Sequence, residues 1–504
     1  MKTATLREVR LASYSALLAA VATLTGCGSG SPVTHQANPL VAQYHVSAPA
    51  GAQVAVEFGT DTTYGRTTGA RAVPAGGSVD VLVAGMKPST EYHMRAKTTL
   101  VDGTVSYDTD RVFHTGAIEM DRLPTFSAQG DTDPHRGIEL VNLTASPGVS
   151  PGNKIQAVAL DLQGNVIWYY DHPSSEGFVF PVKMLRDGNM LVSISDYAST
   201  SVLREVDLAG NTISEFTLDQ LNSALTAAGF SLHAKFLHHD VLRLPNDHTV
   251  VLVAEDRTLN NIAGFPANTL VEGDAIIDLD PNMKPVWVWD TFDHLDINRH
   301  PLAFPPDWTH GNALVRTADN NLLFSMRNQH WVIKIDFQDG KGSGNILWRL
   351  GNQGDIALTN GDASDWFYGQ HYPFIVSEDG NVMRLAVFDD GNDRPDANGN
   401  KCGATTTPCY SRAVLYDIDQ TASTATVEWE YQPGLFSFWG GSVRVLRGSG
   451  NVELDLSQPA TTMGSRVLEV TQDATPQLVW QLDISVPNAY RAYRINSLYP
   501  GVRW

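Results

Sequence analysis

The sequence predicts an all-β protein in which a six-bladed β-propeller follows a small β-sandwich domain. Three observations predict this fold. A short sequence motif typical of strands repeats along most of the chain, Asn-Gly and Asp-Gly turns join the strands, and the first part of the chain lacks this motif. Alternating apolar residues bounded by such turns are typical of antiparallel hairpins.

The repeat is an apolar-x-Asp phrase followed by a turn and a Val/Trp-rich strand, and it occurs six times. The copies contain Asp161, Asp207, Asp278, Asp336, Asp417 and, in the last copy, Trp480. Inner hairpins such as MLRDGNMLVSIS and TADNNLLFSMRN lie between them, and the first inner strand is predicted near Ile138–Asn142. Four strands per repeat favour propeller blades over solenoid coils. We therefore expect six blades over residues 137–504; the alternative, an array of β-sandwiches, does not explain the regularly placed tryptophans.

Residues 38–116 are predicted to form a separate β-sandwich, because they contain short alternating strands and few helix signals. The phrase MKPSTEYHMRAKT, with Pro88, Tyr92 and Arg95, resembles the turn-and-tyrosine strand of immunoglobulin or fibronectin III domains. This segment carries no catalytic cluster, so spacing, docking or dimer formation is its expected role. Residues 117–136 are expected to be a linker to the propeller.

The first residues have the pattern of an export signal. Lys2, Arg7 and Arg10 precede the apolar run SALLAAVATLTGC, whose last four residues resemble a bacterial lipobox. Residues 1–26 are then a lipoprotein signal peptide, Cys27 is the lipidated N-terminus, and residues 27–37 are a flexible tether. We expect an exported protein on the periplasmic side, bound to the membrane only through this anchor; the alternative is an ordinary secretory signal with a chance cysteine.

Two further cysteines, Cys402 and Cys409, lie in the loop NKCGATTTPC. An oxidising compartment permits a disulfide between them. A zinc or redox CxxC site is disfavoured, because the spacing is wrong and no matching pair exists.

The formal net charge of −20 disfavours nucleic acids and anionic membrane surfaces as partners. A small anionic substrate would also be repelled at long range. Using such a substrate therefore requires positive donors concentrated at the site.

Three histidines occupy the same phase of the repeat. They are His239 in LHHDVLRLPND, His310 in DWTHGNALVRTADNN and His371 in GQHYPFIVSEDG. Residues at one phase of a closed repeat come together, so we expect the three imidazoles at one end of the central channel. His238 is adjacent to His239 and points to the opposite face of a regular strand, so His239 is the candidate.

These motifs resemble the bacterial arylsulfate sulfotransferase family, the periplasmic enzymes that do not use 3′-phosphoadenylyl sulfate. The resemblance rests on DWTHGNALV, SMRNQHWVIKID, GQHYPF, FDDGNDR and the ending YRAYRINSLYP, in that order. It covers the propeller and the plan of a small β domain ahead of it. It implies sulfuryl transfer from a phenolic sulfate ester to a phenolic acceptor with no cofactor, and it leaves a homodimer open.

The resemblance also implies roles for single residues. His371 matches the nucleophile that carries the sulfuryl group transiently, and His239, His310, Asn312 and Arg327 match the other functional positions. The chemistry suits these types independently. A neutral imidazole can attack sulfur, a second histidine can exchange a proton with the phenol, and an Arg fork with an Asn amide can hold the sulfuryl oxygens.

The chain departs from the family at three points. Gly369 precedes Gln-His where a Thr is common, and Gly440 stands where a functional Thr is expected, so that Ser437 or Ser442 are candidates to replace it. The small cysteine loop follows the Gln-His motif, although in the family it precedes that motif.

Each candidate also has a structural interpretation. His310 could cap a loop through Asp307, and Arg327 could form a salt bridge at a blade edge. Four aromatic residues, Trp308, Tyr372, Phe374 and Trp439, are expected to flank the site and stack on an aryl ring, or else to pack between blades.

Two other function classes remain. Three histidines with Asp240 or Asp390 could bind a divalent metal in a lyase or hydrolase. A non-catalytic envelope scaffold would instead have no inward His/Arg cluster and a large exposed apolar patch.

Overall fold

The computed structural model describes residues 32–130, 134–144, 154–173, 176–302, 304–396, 398–403, 408–459, 464–486 and 489–504. Within these residues the chain is nearly all β, with 35 strands and two α-helices. The predicted signal peptide and Cys27 lie outside the described residues. None of the helices in the described ranges is long and apolar enough to span a bilayer.

The first part of the chain forms two small sheets that share one apolar core. One contains β1 (Val33–His35), β2 (Ala42–Ser47) and β6 (Ser78–Val83); the other contains β3 (Gln53–Gly59), β4 (Arg66–Thr67), β5 (Arg71–Ala72), β7 (Glu91–Thr99), β8 (Val105–Tyr107) and β9 (Arg111–His114). Alternate residues such as Tyr44, Val56 and Met94 point into the core. Strand β1 corrects the expectation that residues 27–37 are all tether, because buried Val33 anchors it against β2.

Six sheets built on four antiparallel strands follow. From the centre outward, the first sheet contains β35 (Ala489–Ile495), β11 (Ile138–Leu143), β12 (Ala157–Leu160) and β13 (Val166–Tyr170), and the second contains β14 (Phe178–Met184), β15 (Met190–Ser195), β16 (Ser201–Val206) and β17 (Thr212–Thr217). The third contains β18 (Phe236–Arg243), β19 (Thr249–Leu259), β20 (Thr269–Leu279) and β21 (Pro285–Asp290), and the fourth contains β22 (Gly311–Arg316), β23 (Leu322–Met326), β24 (Trp331–Ile335) and β25 (Ile346–Leu350). The fifth contains β27 (His371–Asp379), β28 (Val382–Asp389), β29 (Arg412–Asp419) and β30 (Thr424–Tyr431), and the sixth contains β31 (Ser442–Val445), β32 (Val452–Leu456), β33 (Ser465–Val470) and β34 (Leu478–Ile484). The short β26 (Ala357–Leu358) extends the fifth sheet, and the helices α1 (Leu218–Ala228) and α2 (Thr291–His294) follow β17 and β21.

Both ends of the chain close the set of sheets. Strand β10 (Phe126–Gln129) pairs with the outer strand β34 of the last sheet, and the C-terminal β35 pairs with β11 of the first. The innermost strands of successive sheets contact one another in chain order, and β35 contacts β31. One expectation is corrected: residues 126–129 of the predicted linker form β10, because Phe126 packs against the apolar core there. The strand predicted near Ile138–Asn142 is present as β11, but the C-terminal β35 lies inside it in the first sheet.

The repeated tryptophans join neighbouring sheets. Each lies on an outer strand and donates its indole N–H to the next sheet, where a buried indole must find an acceptor. The bonds run from Trp168 to the Leu208 carbonyl (2.8 Å), Trp289 to Gly344 (2.8 Å), Trp348 to the Gln420 side chain (3.2 Å), Trp429 to Asp473 (3.0 Å) and Trp480 to Leu162 (2.9 Å). The last bond links the sixth sheet to the first, so the repeated tryptophans join five of the six pairs of neighbouring sheets; the second repeat has no tryptophan.

The C-terminal residues bind the ring to the N-terminal sheets. The Tyr499 hydroxyl accepts a hydrogen bond from the Ala84 N–H at 2.7 Å, and Trp504 Nε1 donates to the Thr67 carbonyl at 3.0 Å. These contacts begin only a few residues after β35, so the strand that closes the ring also fixes the small domain. The predicted disulfide is confirmed, with Cys402 bonded to Cys409.

Candidate active site

Three innermost strands carry a histidine near their first residues: His239 lies in β18, His310 immediately precedes β22, and His371 begins β27. The pairing register shifts in β18 between Leu237 and Val241, in β22 just after Gly311, and in β27 just after His371. Such bulges redirect side chains away from regular alternation. His239 and His310 have φ values of 51° and 50°, in the left-handed region that non-glycine residues seldom adopt.

The predicted convergence of the three histidines is found in the structure. The rings of His239 and His310 lie 4.9 Å apart between centroids. The rings of His239 and His371 both contact Tyr490, at 5.5 Å and 6.0 Å. Neighbouring His238 places its Nε2 3.0 Å from Asp274, but its ring lies only 5.0 Å from that of His239, so the opposite orientation expected from regular alternation is not found at this bulge.

His371 is held with one ring nitrogen toward a carboxylate and the other toward the mouth. Its Nδ1 lies 2.7 Å from Asp390 Oδ2, and its Nε2 accepts a hydrogen bond from the backbone N–H of Gly440 at 3.3 Å. Because Nε2 accepts, the ring proton resides on Nδ1, which donates to Asp390. This tautomer leaves a lone pair on Nε2.

The surroundings of His371 keep its ring neutral. Burial lowers its pKa well below the usual value, and the charge of Arg327 and the neighbouring His310 and Arg491 lower it further. Burial raises the pKa of Asp390, which nearby Arg327 opposes. A neutral imidazole with an available lone pair is the form required of a nucleophile.

The other two histidines have different partners. His310 Nδ1 lies 2.5 Å from Asp307 Oδ2, and both side chains are partly exposed at the mouth. Burial alone would raise the pKa of Asp307, but His310 and Arg327 lower it below the usual value. The pair therefore places a partly exposed imidazole, oriented by a carboxylate, where it can exchange a proton with a ligand at the mouth.

His239 is buried and pairs with a hydroxyl group. Its Nδ1 lies 2.9 Å from the Tyr490 hydroxyl. Burial, followed by the proximity of His310, His238 and His371, lowers the pKa of His239 well below the usual value. His239 is thus a neutral hydrogen-bonding group that exchanges one hydrogen bond with the Tyr490 hydroxyl.

Arg327 follows β23 directly, at the start of a short 3₁₀ turn. Its two terminal nitrogens donate to the Asn328 side chain at 3.0 Å and to the Phe438 carbonyl at 3.1 Å, while its Nε has no partner among the described residues. It forms no salt bridge with a described carboxylate, which removes the structural interpretation considered above. The charge of the guanidinium acts on its neighbours, since it lowers the pKa of His371 and opposes the rise in the pKa of Asp390.

Asn312 acts on the backbone next to His371. Its amide Nδ2 donates to the Gln370 carbonyl at 2.7 Å, and its Oδ1 is buried without a partner among the described residues. The buried His330 adds a second contact, because its Nδ1 accepts from the Gly369 N–H at 2.8 Å. These two side chains therefore fix the segment that carries the nucleophile, and at least one N–H of Asn312 is not free for a ligand.

The buried guanidinium of Arg491 lies below the histidines in the channel. It donates to the Asn312 carbonyl, stands over the rings of Tyr372 and Tyr490 at 4.8 Å and 5.0 Å, and lies 3.4 Å from Asp240. Its Nε and Nη1 have no hydrogen-bond partner among the described residues. Arg491 thus supplies a fixed positive charge under the site.

The aromatic residues at the mouth differ from most of those expected. Trp439 stacks on Tyr490 at 6.1 Å, as the sequence suggested. Three expected residues lie elsewhere: Trp308 is fully buried and packs on Phe292, Tyr372 lies in the channel beside Arg491, and Phe374 contacts Arg444. Phe180, Tyr197 and Tyr490, which the sequence analysis did not single out, surround His239 instead.

At the position where a functional Thr is expected, Gly440 contributes only its backbone. Gly440 has a φ of 68°, and a Cβ there would approach Ser457 at 2.7 Å and Tyr490 at 3.3 Å, so no side chain fits. The serines considered as replacements bond elsewhere: Ser437 accepts from Gln458 N–H, and Ser442 donates to the Ala492 carbonyl. The N–H of Gly440 is therefore the donor that reaches His371 at this position.

The carboxylates considered as metal ligands are occupied by other partners. Asp240 pairs with Lys183 and accepts from the Leu314 N–H at 2.9 Å, and Asp390 bonds His371. In the described part of the chain no group of three or more His, Cys, Asp or Glu is arranged to hold a metal ion. The donor set at the mouth fits an anion better than a cation, because Arg327 stands beside the histidines.

The comparison with known proteins gives one family match and only distant structural similarities. The family model described as Arylsulfotransferase (ASST) matches residues 128–494. No curated protein matches the chain significantly. Among solved structures, a protein from Lactobacillus plantarum is 9% identical over 71% of this chain and 98% of its own, with a TM-score of 0.36.

Two other solved structures are similarly distant. Cobalt-substituted Synechocystis ACO is 13% identical over 92% of this chain and 97% of its own, with a TM-score of 0.34. A streptogramin B lyase is 12% identical over 71% of this chain and 98% of its own, with a TM-score of 0.30.

Proposed function

The chain belongs to the arylsulfotransferase (ASST) family, and we propose that it moves a sulfuryl group from a phenolic sulfate ester to a phenolic acceptor through a transient sulfohistidine, without 3′-phosphoadenylyl sulfate. The observation that carries the proposal is the tautomer of His371. The Gly440 N–H donates to Nε2, so a neutral imidazole turns a lone pair toward a mouth that also holds Arg327.

In the first half-reaction His371 Nε2 gives up its hydrogen bond from the Gly440 N–H and attacks sulfur with the same lone pair. An N–S bond forms as the bond from sulfur to the phenolic oxygen breaks, and the phenolate leaves with the bonding electron pair. Asp390 holds the Nδ1 proton and stabilises the positive charge that develops on the ring. Asn312 and His330 keep the nucleophile in place by holding the Gln370 carbonyl and the Gly369 N–H.

His310 exchanges the proton with the phenol. Its Nδ1 lies 2.5 Å from Asp307 and its ring is partly exposed, so its other nitrogen is accessible to a phenolic oxygen. It protonates the departing phenolate, and after the donor product leaves it removes the proton from the acceptor. The acceptor oxygen then attacks sulfur, the N–S bond breaks, and His371 returns to its starting form.

Three donors stabilise charge on the sulfuryl oxygens. Arg327 supplies a guanidinium edge that is not bound to any described carboxylate, and Gly440 supplies the backbone N–H that His371 Nε2 releases when it attacks sulfur. His239 supplies Nε2–H when the Tyr490 hydroxyl donates to its Nδ1. Preorganised donors in a dry site act most strongly where charge develops.

The aryl part of both substrates is proposed to stack on the aromatic residues around His239. Tyr490 and Trp439 lie near parallel, with an interplanar angle of 29°, and Phe180 meets Tyr490 edge to face. Flat apolar surfaces of this kind bind phenols of many substitution patterns. The substrates are therefore small phenolic sulfate esters and phenols.

The same proposal includes the domain architecture of the protein and its location in the cell. The six four-stranded sheets are proposed to be the blades of one propeller, and residues 38–116 an immunoglobulin- or fibronectin III-like sandwich. We propose export to the periplasmic side with Cys27 as the only, lipid-anchored membrane contact. A diacylglyceryl group on Cys27 in the mass of the mature protein would support this, and a product cut elsewhere would contradict it.

The experiment that tests the function is a transfer assay with purified full-length protein. A chromogenic aryl sulfate is mixed with the enzyme with and without an added phenol. The proposal predicts sustained release of donor phenol only with the acceptor, together with formation of the acceptor's sulfate ester. Turnover into free sulfate without acceptor would instead make the protein a sulfatase, and activity that requires added metal after dialysis would favour the metal-dependent class.

A further inference from the structure

The channel mouth opposite the histidines is lined by arginines. A concavity of about 470 Å³ lies where β31 and β35 end, and Arg444, Arg447, Arg494 and Arg503 contribute to its wall together with His135. None of the described residues that line it is Asp or Glu. On a chain with a net charge of −20, such a local excess of cations is not a consequence of composition.

Two of these guanidiniums are buried and keep N–H groups without partners. The Arg494 side chain is 1% exposed; it donates to Glu139 and Glu469, while its Nη2 has no partner among the described residues. Arg444 donates to the Tyr372 hydroxyl at 3.1 Å, and its Nε is likewise unpaired. A buried donor left unpaired is costly, so an acceptor is expected at this wall.

The rim of the concavity adds two free charges. Arg447 and Arg503 are exposed, and neither forms a hydrogen bond or salt bridge within the described part of the chain. The carboxylates behind the wall do not cancel this charge completely. Glu139 and Glu469 balance Arg494, and burial, with Glu139 close by, raises the pKa of Glu453 well above its usual value.

The remaining wall is apolar. Met184, Phe374, Leu446 and Ile495 line the concavity beside the arginines. A guanidinium cluster recognises the oxygens of a sulfate or phosphate group, and an adjacent apolar wall accepts an organic body attached to it. The two features together describe the recognition of an amphiphilic anion.

We propose that this concavity is a second anion site, which binds the sulfate or phosphate group of a small organic ester through Arg444, Arg447, Arg494 and Arg503. It lies at the other end of the channel from His371 and takes no part in sulfuryl transfer. The proposal is independent of the proposed function, because it rests only on the arginines and the apolar wall.

The test is calorimetric titration of the full-length protein with inorganic phosphate and with phenyl phosphate, at an ionic strength held constant with chloride. The Arg327→Ala variant removes anion binding at the histidine mouth, and the Arg447→Ala/Arg503→Ala variant removes the rim charges. We expect saturable binding that persists in Arg327→Ala and weakens at least about tenfold in the double variant, the scale of losing charge-assisted hydrogen bonds. Lys284→Ala/Lys341→Ala, which removes two exposed charges elsewhere, is the matched control and should bind as wild type.

If phenyl phosphate binds more tightly than inorganic phosphate, the ligand of the site is an ester. If the two affinities are equal, the ligand is the free ion, and the proposed role of the apolar wall is wrong. Binding that disappears in Arg327→Ala and survives in the double variant would overturn the whole proposal, as would the absence of saturable binding. Transfer activity without added anion should be unchanged in the double variant. If that variant melts earlier than wild type, Arg447→Gln alone serves for the comparison, since this side chain has no partner to lose.

Discussion

Asp390 Oδ2 lies 2.7 Å from Nδ1 of His371 and accepts its N–H, so the lone pair of the ring lies on Nε2, where it accepts the Gly440 N–H at 3.3 Å. In Asp390→Asn the amide N–H donates to Nδ1 and moves the ring proton to Nε2. We expect the single-turnover release of phenol to slow by roughly 10²–10⁴-fold, the scale of presenting the wrong tautomer. Stopped-flow absorbance with a chromogenic sulfate measures this rate.

The control is Asp417→Asn, which removes a carboxylate from the same sheet that is paired with Arg384, far from the histidine. It should release phenol at the wild-type rate. An Asp390→Asn variant with an unchanged rate would mean that this carboxylate does not set the tautomer.

The Tyr490 hydroxyl has a separate effect on the neighbouring histidine. Tyr490→Phe keeps the ring that packs on Trp439 but removes the bond to His239 Nδ1. We expect transfer to slow about tenfold, the scale of one buried hydrogen bond, with little change in the affinity for the aryl group. Steady-state kinetics separate the two, because KM should stay constant while kcat falls.

Tyr493→Phe is the matched control for the hydroxyl, because the buried Tyr493 hydroxyl has no partner among the described residues. Its kcat should equal that of wild type. Equal losses in both variants would indicate a general packing effect.

Arg327 is expected to act on the sulfuryl group in the transition state. Arg327→Ala should lower kcat/KM by roughly 10²–10³-fold, the scale of losing one charged donor. Arg327→Lys should recover part of this loss, since it restores the charge without the planar fork. Arg349→Ala, which breaks an ion pair with Asp355 on an outer strand, should leave kcat/KM unchanged, and a comparable loss there would point to global charge instead.

His330 makes folding stability depend on pH. Burial lowers its pKa from the usual 6.5 to about 3, so between these values the unfolded chain binds a proton that the folded chain excludes. The stabilisation is complete above about pH 6.5 and is lost as the pH falls toward 3. At pH 5 the loss amounts to about 2 kcal/mol.

His330→Asn should remove this part of the pH dependence and keep the fold. Asn tolerates the φ of 51° at this position and offers an oxygen to the Gly369 N–H. The fall in unfolding free energy from pH 7.5 to pH 5, measured with urea, should be about 2 kcal/mol smaller in the variant. The exposed His114→Asn should show the full wild-type fall, and an unchanged fall in His330→Asn would contradict the account.

Much of the framework could be predicted from the sequence because it depends on repetition. Hairpin turns and the placement of the tryptophans mark the strands, and a shared phase brings His239, His310 and His371 to one mouth. The disulfide between Cys402 and Cys409 follows from two neighbouring cysteines in one loop. Each of these inferences needs only local pattern and the closure of a repeat.

The partners of the histidines could not be predicted in this way. Tyr490 reaches His239 across 251 positions of sequence, because the C-terminal strand β35 is the innermost strand of the first sheet. The bulges that turn the histidines into the channel depend on pairing register, which periodicity does not reveal. The sequence shows that a glycine stands at position 440. It does not show that the N–H of Gly440 takes the place of a side chain, because this depends on the backbone conformation.

The central claim, that His371 carries the sulfuryl group, is tested most directly by mass spectrometry of the enzyme after one turnover without acceptor. The account predicts one equivalent of released phenol and about 80 Da of added mass on the peptide containing His371, the mass of one SO₃ group in a covalent route. Because sulfohistidine is labile, the reaction is quenched under mildly alkaline conditions. His371→Asn should lack both burst and label; a His371→Asn variant that transfers at the wild-type rate would contradict the account.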